Sequence, residues 1–331
     1  MTDRAGYANS GPLRRGKLSF LGVDAGDRPV PRPGQRERDV TTRMTLETLR
    51  AVITSSFAEL SNSEFTLLDG GWDSVAVDVD DCLIFKFPRH EAGKRALVTE
   101  ACLLNVVRPA VAMPVPDLTI YVEPKAFSRH TKLKGDHLLT RHYESLPVES
   151  RQRLAADMAL FYTQIHSLAA TDMEAAGAEP IKPWRQPDDI LRRTWPVLPS
   201  RLRSYASQTI GAWQSLSPDP HGTTYGFFDG HDWNMAFDHA SGRLNGIYDF
   251  ADSGFGPLHQ EFIYSNFISP DLTERIISEY EARTGRVVDR LRVELLTGVL
   301  RLSELAEFAA TRDHLAGGLK AVSDWAGRQS S

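Results

Sequence analysis

Residues 225–254 read YGFFDGHDWNMAFDHASGRLNGIYDFADSG and place three oxygen-bearing side chains at fixed spacing. Asp229 is followed five residues later by Asn234, and Asp249 comes fifteen residues after Asn234. Between Asn234 and Asp249, two short apolar runs flank a turn sequence at residues 239–242, which is typical of a β-hairpin. The segment therefore predicts a loop that carries Asp229 and Asn234 and leads into a hairpin ending near Asp249.

An aspartate, an asparagine and a second aspartate in this order favour phosphoryl transfer. The first carboxylate orients the proton of an acceptor hydroxyl, the amide holds a metal ion, and the second carboxylate holds the Mg²⁺ that bridges nucleotide phosphates. Oxygen ligands are required because Mg²⁺ is a hard cation. The alternative is ordinary turn chemistry, since Asp, Asn and Gly populate loops for backbone reasons.

Composition bounds the class of protein. The chain has 331 residues, of which 41% are hydrophobic, and this is enough for one large domain or two lobes. A net charge of -5 and a pI near 6.1 argue against a nucleic-acid binder. Cys82 and Cys102 are too few for a disulfide framework or a Cys-rich zinc site. With no membrane-length apolar run and no signal-peptide pattern, we expect a monomeric cytoplasmic protein without nucleic-acid or membrane partners.

Residues 1–43 differ from the rest of the chain. They hold nine Lys and Arg residues against five acids, and Pro29, Pro31 and Pro33 lie close together. Because apolar periodicity is also absent, we predict a disordered tail, with Met44 as an alternative start. A functional basic arm is the competing interpretation.

Three strand-like runs follow a helical stretch at residues 45–60, and a Gly-containing turn joins the first two runs. The runs are residues 66–68, 75–79 and 82–87. The turn includes Gly70 and Gly71 and ends at Ser74. Glycines let backbone N–H groups approach phosphates closely, which makes this turn a candidate phosphate cover. An ordinary hairpin turn would have the same composition.

Lys86 interrupts an otherwise apolar run, LIFKF at residues 83–87. A single Lys in a strand is commonly on the solvent face. Here the Lys follows the Gly-containing turn and precedes a predicted helix, residues 94–107, which carries Glu100. A cation at this place can pair with the α- and β-phosphates of a nucleotide, with Glu100 holding its flexible stem.

The C-terminal part of the sequence predicts mainly helices. Helical apolar spacing covers residues 150–168 and 200–216, whereas residues 172–200 predict an irregular insertion. Asp271 with Glu274 resembles a capping box at the start of a further helix that Gly285 ends. Residues 219–331 hold seventeen acids against ten bases (17 − 10 = 7), a surplus that would suit a cationic acceptor as well as a solvated face.

Together these pieces resemble the aminoglycoside phosphotransferase family over about residues 60–310, with the strongest likeness to the aminoglycoside 2''-phosphotransferases. The matching motifs are Gly70-Gly71-Trp72-Asp73-Ser74-Val75-Ala76, Ile84-Phe85-Lys86-Phe87, Leu133-Lys134-Gly135, Ile247-Tyr248-Asp249-Phe250-Ala251-Asp252-Ser253-Gly254 and Glu261-Phe262-Ile263-Tyr264.

The resemblance implies an α+β, two-lobed, protein-kinase-like fold. An N-terminal antiparallel sheet with a helix, residues 44–130, would form the nucleotide-binding lobe. A larger and mainly helical lobe, residues 131–331, would carry catalysis and substrate binding. ATP or GTP would be the co-substrate, with Mg²⁺. The implied roles are catalysis by Asp229, metal binding by Asn234 and Asp249, and nucleotide binding by Lys86, Glu100, Gly70, Gly71 and Ser74.

The implied activity is transfer of the γ-phosphoryl group to a hydroxyl of a small cationic amino sugar, an aminoglycoside antibiotic, and hence antibiotic resistance. Phe227-Phe228 replaces the family's usual His-Gly or His-Asn, and the acidic substrate positions fall near Phe267 and Pro270. We expect Asp252, Asp271 and Glu274 to compensate. The alternatives are a kinase for choline, a sugar or an amino-acid alcohol, and a non-catalytic nucleotide-binding homologue.

Overall fold

The computed structural model describes residues 44–68, 73–123, 125–312 and 314–328. The first five strands are β1 (Phe65–Leu68), β2 (Ser74–Val79), β3 (Leu83–Pro88), β4 (Thr119–Tyr121) and β5 (Phe127–Thr131). They form one antiparallel sheet in the order β1-β2-β3-β5-β4. The three predicted strands are thus confirmed, each within one residue of its predicted start and end. The predicted disordered tail at residues 1–43 lies outside the described residues.

Two helices pack with this sheet. Helix α1 (Leu46–Ser56) buries Leu49 and Ile53, one turn apart, in a cluster with the sheet's Val and Phe side chains. Helix α2 (Glu91–Val107) begins where His90 accepts a hydrogen bond from the backbone N–H of Gly93, three residues before the predicted start. Its buried face includes Glu100, which is only 1% exposed. A buried carboxylate on an apolar helix face needs polar partners, and these lie in the candidate site.

The C-terminal part is larger and mainly helical. Its helices are α3 (Thr140–Ser145), α4 (Val148–Ile165), α5 (Ala170–Ala175), α6 (Pro187–Thr194), α7 (Ser200–Gln214), α8 (Leu258–Glu261), α9 (Pro270–Thr284), α10 (Arg290–Thr311) and α11 (Leu315–Arg328). Leu154, Met158, Phe161 and Ile165 recur on one buried face of α4, as their spacing predicts. This face packs in one core with α9 and with residues of the loop that carries Asp229 and Asn234. The architecture is the predicted α+β fold with a small antiparallel sheet and a helical part.

Four short strands flank the loop that carries Asp229 and Asn234. They are β6 (Thr223–Gly226), β7 (Met235–Asp238), β8 (Arg243–Ile247) and β9 (Gly254–Pro257). The predicted hairpin is the antiparallel pair of β7 and β8, while β6 pairs with β9. Strand β8 ends at Ile247, just before the predicted end of the hairpin near Asp249, and Asp249 itself takes a left-handed backbone conformation with φ 68°.

Two local predictions were wrong. Helix α9 is capped by Ser269, whose hydroxyl accepts from the N–H of Asp271, and Pro270 occupies its first turn. Asp271 is therefore not the N-cap, although Gly285 does end the helix in a left-handed conformation. The predicted irregular insertion at residues 172–200 contains most of α5 and all of α6.

Across the described ranges, none of the helices combines the length and the apolar character needed to cross a bilayer. The division of the chain at residues 130 and 131 into a nucleotide-binding and a catalytic lobe stays a prediction.

Candidate active site

Asp229 lies in the loop between β6 and a short 3₁₀ turn, Asp232–Asn234. Its Oδ2 accepts a hydrogen bond of 2.7 Å from Nδ2 of Asn234, which also donates to the Asp229 carbonyl at 3.0 Å. Its Oδ1 lies 3.2 Å from Nε2 of His231. The side chain of Asp229 is almost fully buried, with 4% of the residue exposed. These contacts restrict the carboxylate to one orientation.

The ring of His231 joins Asp229 to the backbone of the loop, since its Nδ1 accepts a hydrogen bond of 3.2 Å from the N–H of Trp233. Burial would lower its pKa, but the neighbouring charge of Asp229, a hydrogen bond to the same carboxylate and the charge of Asp232 raise the pKa above its ordinary value. His231 thus braces the loop through its contacts with Asp229 and the backbone of Trp233.

Glu261, on α8, holds the backbone that leads to Asp229. Its two carboxylate oxygens accept from the N–H groups of Phe227 at 2.9 Å and Phe228 at 2.8 Å. Its Oε2 also lies 3.1 Å from Nε2 of His166, and the side chain is fully buried. Phe228 needs this support because its φ is 51°, which an L-residue rarely adopts. The position where the family resemblance has an Asp is filled here by a longer Glu.

The two Phe residues that replace the usual histidine motif are packing groups. Phe227 is fully buried, with its ring centroid 4.8 Å from that of Phe250 and 5.8 Å from that of Phe161. This cluster joins the residues before Asp229 to the residue after Asp249. Apolar contact therefore connects the two loops that carry the carboxylates.

Asn234 and Asp249 lie at the same end of the β7–β8 hairpin. The backbone N–H of Tyr248 donates to the carbonyl of Asn234 at 3.0 Å. The Nδ2 atom of Asn234 bonds to Asp229, so its Oδ1 is the amide atom able to ligate a cation. Asp249 is 1% exposed, and its Oδ2 is buried without a hydrogen-bond partner.

Lys86 reaches Asp249 from the N-terminal sheet. On β3 it pairs with Ala76 of β2 and Ser128 of β5, and its Nζ lies 3.4 Å from Oδ1 of Asp249. Burial would lower the pKa of Lys86, but the charges of Asp249 and Glu100 raise it. Lys86 therefore does not lie on a solvent face.

Glu100 also reaches the Asp249 loop. Its Oε1 accepts from the backbone N–H of Phe250 at 2.9 Å, which ties α2 to the C-terminal part. Burial raises the pKa of Asp249 well above its ordinary range; Lys86 opposes this, and the carboxylates of Glu100 and Asp229 add to it. The single ammonium of Lys86 does not compensate for these negative charges.

A divalent cation fits this arrangement. The unpartnered Oδ2 of Asp249 is a buried hard oxygen with nearby negative charge, and Asn234 adds a second oxygen. No group of three or more His, Cys, Asp or Glu side chains that could hold a metal ion occurs in the part of the chain that the structure describes. Two protein ligands suit Mg²⁺, since it commonly takes its other ligands from water and nucleotide phosphates.

The predicted phosphate cover is only partly described. Gly70 and Gly71 lie outside the described residues. Ser74 opens β2 and is 1% exposed, and its Oγ has no hydrogen-bond partner. A buried donor at this point suits a phosphate oxygen, and its nucleotide-binding role stays a prediction.

Two of the three predicted substrate carboxylates, Asp271 and Glu274, lie one turn apart on α9. Asp271 accepts from Tyr143 at 2.6 Å and from Arg275 at 2.9 Å, and these bonds lower its pKa. Glu274 accepts from Arg290 at 3.2 Å. Both carboxylates are thus engaged by cations or donors of this chain.

Asp252 lies near Asp249, since its charge is one of those that raise the pKa of the Asp249 carboxyl. It lines a cavity of about 350 Å³ with Glu100 and with Glu179 and Lys182 of the segment between α5 and α6. A cavity of about 660 Å³ between α7 and α11 contains none of the predicted site residues.

Sequence reasoning missed Arg301 and Glu304 on α10. The guanidinium carbon of Arg301 lies 3.4 Å from the ring centroid of Phe267, and that ring stacks beside His231 at 6.3 Å. The charges that act on Glu304 include those of His231 and Asp229. In the sequence, the two residues are an ordinary i,i+3 pair on an amphipathic helix, so no local signal marks them.

The chain is similar to known phosphotransferases in sequence and in fold. The sequence model described as "Phosphotransferase enzyme family" matches residues 64–296, well over half of the chain. The chain belongs to this family.

Solved structures of phosphotransferases share the fold. The GDP and kanamycin complex of APH(2")-IIIa is 19% identical, with a TM-score of 0.71 over 86% of this chain and 99% of that one. Macrolide 2'-phosphotransferase MphH from Brachybacterium faecium is 16% identical, with a TM-score of 0.60 over 84% and 97%. The ADP-bound APH(2'')-Ib is 16% identical, with a TM-score of 0.57 over 84% and 96%. These likenesses confirm the kinase-like fold.

Proposed function

We propose that the protein transfers the γ-phosphoryl group of ATP or GTP to a hydroxyl group of a small molecule. The observation that carries the proposal is the contact of Lys86 with Asp249 across the two parts of the fold, next to the bonded pair of Asp229 and Asn234. Family membership supports it, as does the presence of GDP or ADP in the solved relatives.

Asp229 would orient the acceptor hydroxyl. A carboxylate has about four lone-pair sites, so the bonds from Asn234 and His231 leave room for one from a substrate O–H. Because both partners fix the carboxylate, the contribution is chiefly positioning.

Lys86 would neutralise phosphate charge at the nucleotide, and Glu100 would keep α2 against the Asp249 loop through Phe250. Asn234 and Asp249 would hold Mg²⁺, which when bound neutralises charge on the transferred phosphoryl group. Ser74, with Gly70 and Gly71, would cover the phosphates.

An aminoglycoside is the first candidate acceptor. It is supported by the acidic surplus of the C-terminal part and by the kanamycin bound in a relative of the same fold. A different small metabolite is the second candidate, favoured by one observation: Asp271 and Glu274 are occupied by arginines and do not present free carboxylates to a polycation.

Substitution of Asp229 by Ala tests the chemistry. We expect loss of phosphoryl transfer while nucleotide binding, followed by fluorescence titration, is retained. The control is Asp238→Ala, which removes a carboxylate from the outer end of the same hairpin. Turnover that survives in the Asp229 variant would refute the proposed role.

A panel of acceptors with ATP or GTP and Mg²⁺ tests the substrate. Transfer to aminoglycosides, together with resistance in a susceptible host, would support antibiotic O-phosphorylation. Transfer to choline, a sugar or an amino-acid alcohol would support the second candidate. Absence of hydrolysis and transfer with either nucleotide would indicate a non-catalytic homologue.

A further inference from the structure

The hydroxyl group of Tyr162, on α4, lies against the loop that carries Asp229 and is not used by the chemistry proposed above. Tyr162 is fully buried, and its hydroxyl oxygen has no hydrogen-bond partner among the residues that the structure describes. Such a hydroxyl costs stability, because it has lost its hydrogen bonds to water without gaining others. Its presence therefore points to a role other than stability of the fold.

The residue beside this hydroxyl is Gly230, which directly follows Asp229. A Cβ atom added to Gly230 would lie 2.1 Å from the hydroxyl oxygen of Tyr162, a distance at which the two atoms overlap. The backbone of Gly230 is not in the left-handed region that favours glycine, so its conformation would accept alanine. The hydroxyl of Tyr162 is thus what excludes a side chain at this position.

The ring of Tyr162 is held in place by other aromatic rings. Its centroid lies 5.8 Å from those of Phe161 and Phe262 and 6.0 Å from that of His166, on which it stacks. Helix α4 itself packs with α9 in the main core. Because a close-packed interior resists rotation of a large ring, the hydroxyl is a fixed point that the backbone of Gly230 contacts.

Gly230 transmits this contact to Asp229. The two residues share a peptide group, and the N–H of His231 donates to the carbonyl of Asp229 at 2.8 Å, so the loop turns tightly around Gly230. Glu261 holds the backbone before Asp229. Tyr162 contacts the residue after it. The carboxylate is therefore supported from both directions along the chain.

We propose that Tyr162 is a positioning residue. Its hydroxyl sets the place of the Gly230 backbone and, through it, the orientation of the Asp229 carboxylate toward the acceptor hydroxyl. This inference rests on the proposed function, in which Asp229 orients the acceptor. A gap the size of one oxygen atom would let the loop shift toward α4, and a displacement of about 1 Å at a reacting group can lower a rate by about a hundredfold.

Moving one heavy atom from Tyr162 to Gly230 tests the contact. Tyr162→Phe removes the hydroxyl oxygen, and Gly230→Ala adds a methyl group close to the same place, 3.3 Å from the ring carbon Cζ and 3.6 Å from Cε of Met158. We expect turnover to fall about tenfold in Tyr162→Phe and about a hundredfold in Gly230→Ala. The double variant should recover to within about threefold of wild type, since the methyl group fills the gap.

Turnover is measured with the full chain as the ADP formed from ATP, or the GDP formed from GTP, with Mg²⁺ and kanamycin, which counts transfer and hydrolysis alike. In Tyr162→Phe the nucleotide KM should change less than about twofold, because Lys86 and Asp249 are not displaced. The melting temperature should change by less than about 3 °C, because a hydroxyl without a partner contributes little.

Hydrogen exchange of the loop amides reports the loop position without any acceptor. The N–H groups of His231 and Asn234 are both bonded within the loop. Their exchange should become about tenfold faster in Tyr162→Phe and return to the wild-type rate in the double variant.

Tyr205 and Gly298 form the matched control pair. The hydroxyl oxygen of Tyr205, on α7, would lie 2.6 Å from a Cβ atom added to Gly298 on α10. Tyr205 lines the cavity of about 660 Å³ that contains none of the predicted site residues. Gly298→Ala should lower the melting temperature, and Tyr205→Phe should restore part of it. Neither variant, nor the two together, should change turnover or loop exchange more than about twofold.

Wild-type turnover and loop exchange in Tyr162→Phe would overturn the inference, as would a double variant no more active than Gly230→Ala. A nucleotide KM that rises as turnover falls would also overturn it, as would equal losses of turnover in the control pair, since both indicate general damage. The proposed function fails separately, if wild type forms neither ADP nor GDP. Loop exchange alone then decides whether the hydroxyl of Tyr162 sets the loop.

Discussion

The ammonium nitrogen of Lys86 lies 3.4 Å from Oδ1 of Asp249, although 163 positions separate the two residues in the sequence. One residue comes from the N-terminal sheet and the other from the loop after β8, and both are buried. The pair connects the two parts of the fold at the point where nucleotide phosphates would lie. Since burying charges is costly, such a contact is more readily explained by a ligand than by stability alone.

Replacement of Lys86 by Met should weaken nucleotide binding by roughly tenfold or more and lower the rate of transfer further, because the phosphates lose a fixed positive charge. Titration with nucleotide and steady-state kinetics provide the measurement. Lys132→Met is the control: Lys132 follows β5, and its ammonium group bonds to Asp78 at 2.5 Å and to Asp81 at 2.6 Å. Equal effects of the two substitutions would contradict the role of Lys86.

Added Mg²⁺ should stabilise the wild-type protein, because it supplies a partner for the orphaned Oδ2 of Asp249. At saturating concentrations we expect about 1–3 kcal/mol, measured by denaturant unfolding. Asp249→Asn should abolish this gain and all transfer. A Mg²⁺ effect that persists in the variant would place the cation elsewhere.

Glu261→Ala should destabilise the protein by about 2–4 kcal/mol, because it leaves the N–H groups of Phe227 and Phe228 buried without acceptors. Glu261→Gln retains one acceptor oxygen and should cost less. In both variants, transfer should fall more than nucleotide binding, since the misplaced residue is Asp229 and not Lys86. Nucleotide affinity that falls in parallel with the transfer rate would indicate general damage.

Much of the candidate site could be predicted because the residue types and their order along the chain are distinctive. Lys86 interrupts an apolar run, and Asp229, Asn234 and Asp249 have the spacing of a loop and hairpin. The register of the sheet and the pairing of β7 with β8 set the positions of these residues along their strands. The roles themselves stay predictions.

What sequence reasoning missed depends on long-range packing. Arg301 and Glu304 form an i,i+3 pair on α10, and most such pairs are solvated. The position of Phe267 shows that they approach the loop that carries Asp229 and His231. The N-cap of α9 was predicted wrongly for a local reason. Ser269 and Asp271 are both residue types that cap helices well, and Pro270 between them suits the first turn of a helix that begins after Ser269.

Gly135→Ala should destabilise the fold by about 2 kcal/mol or more. Gly135 follows β5 with φ +141°, and an added Cβ would lie 2.6 Å from the backbone of Ala236 and Phe237 in the β7–β8 hairpin. Gly285→Ala is the control, since Gly285 has φ +69° but open space around it, and should cost only about 1 kcal/mol. Thermal unfolding of the two variants distinguishes a steric clash from backbone strain. An equal loss of stability in Gly135→Ala and Gly285→Ala would exclude the clash.

The carboxyl of Glu304 should make stability depend on pH. Burial raises its pKa from 4.5 to about 7, although Arg301 and His231 act in the opposite direction; Asp229 adds to the increase. Above pH 4.5 the unfolded chain loses this proton while the folded protein keeps it, so stability falls as pH rises from about 4.5 to about 7 and is then constant. Glu304→Gln should lack this decline, which we expect to be about 1–3 kcal/mol. Denaturant unfolding at pH 5 and pH 8 of both proteins isolates the effect, because the other titrating groups contribute equally to each. If the difference between the two pH values is the same for wild type and Glu304→Gln, Glu304 ionises in the folded protein at its ordinary pKa, and the carboxyl is better solvated than its contacts indicate.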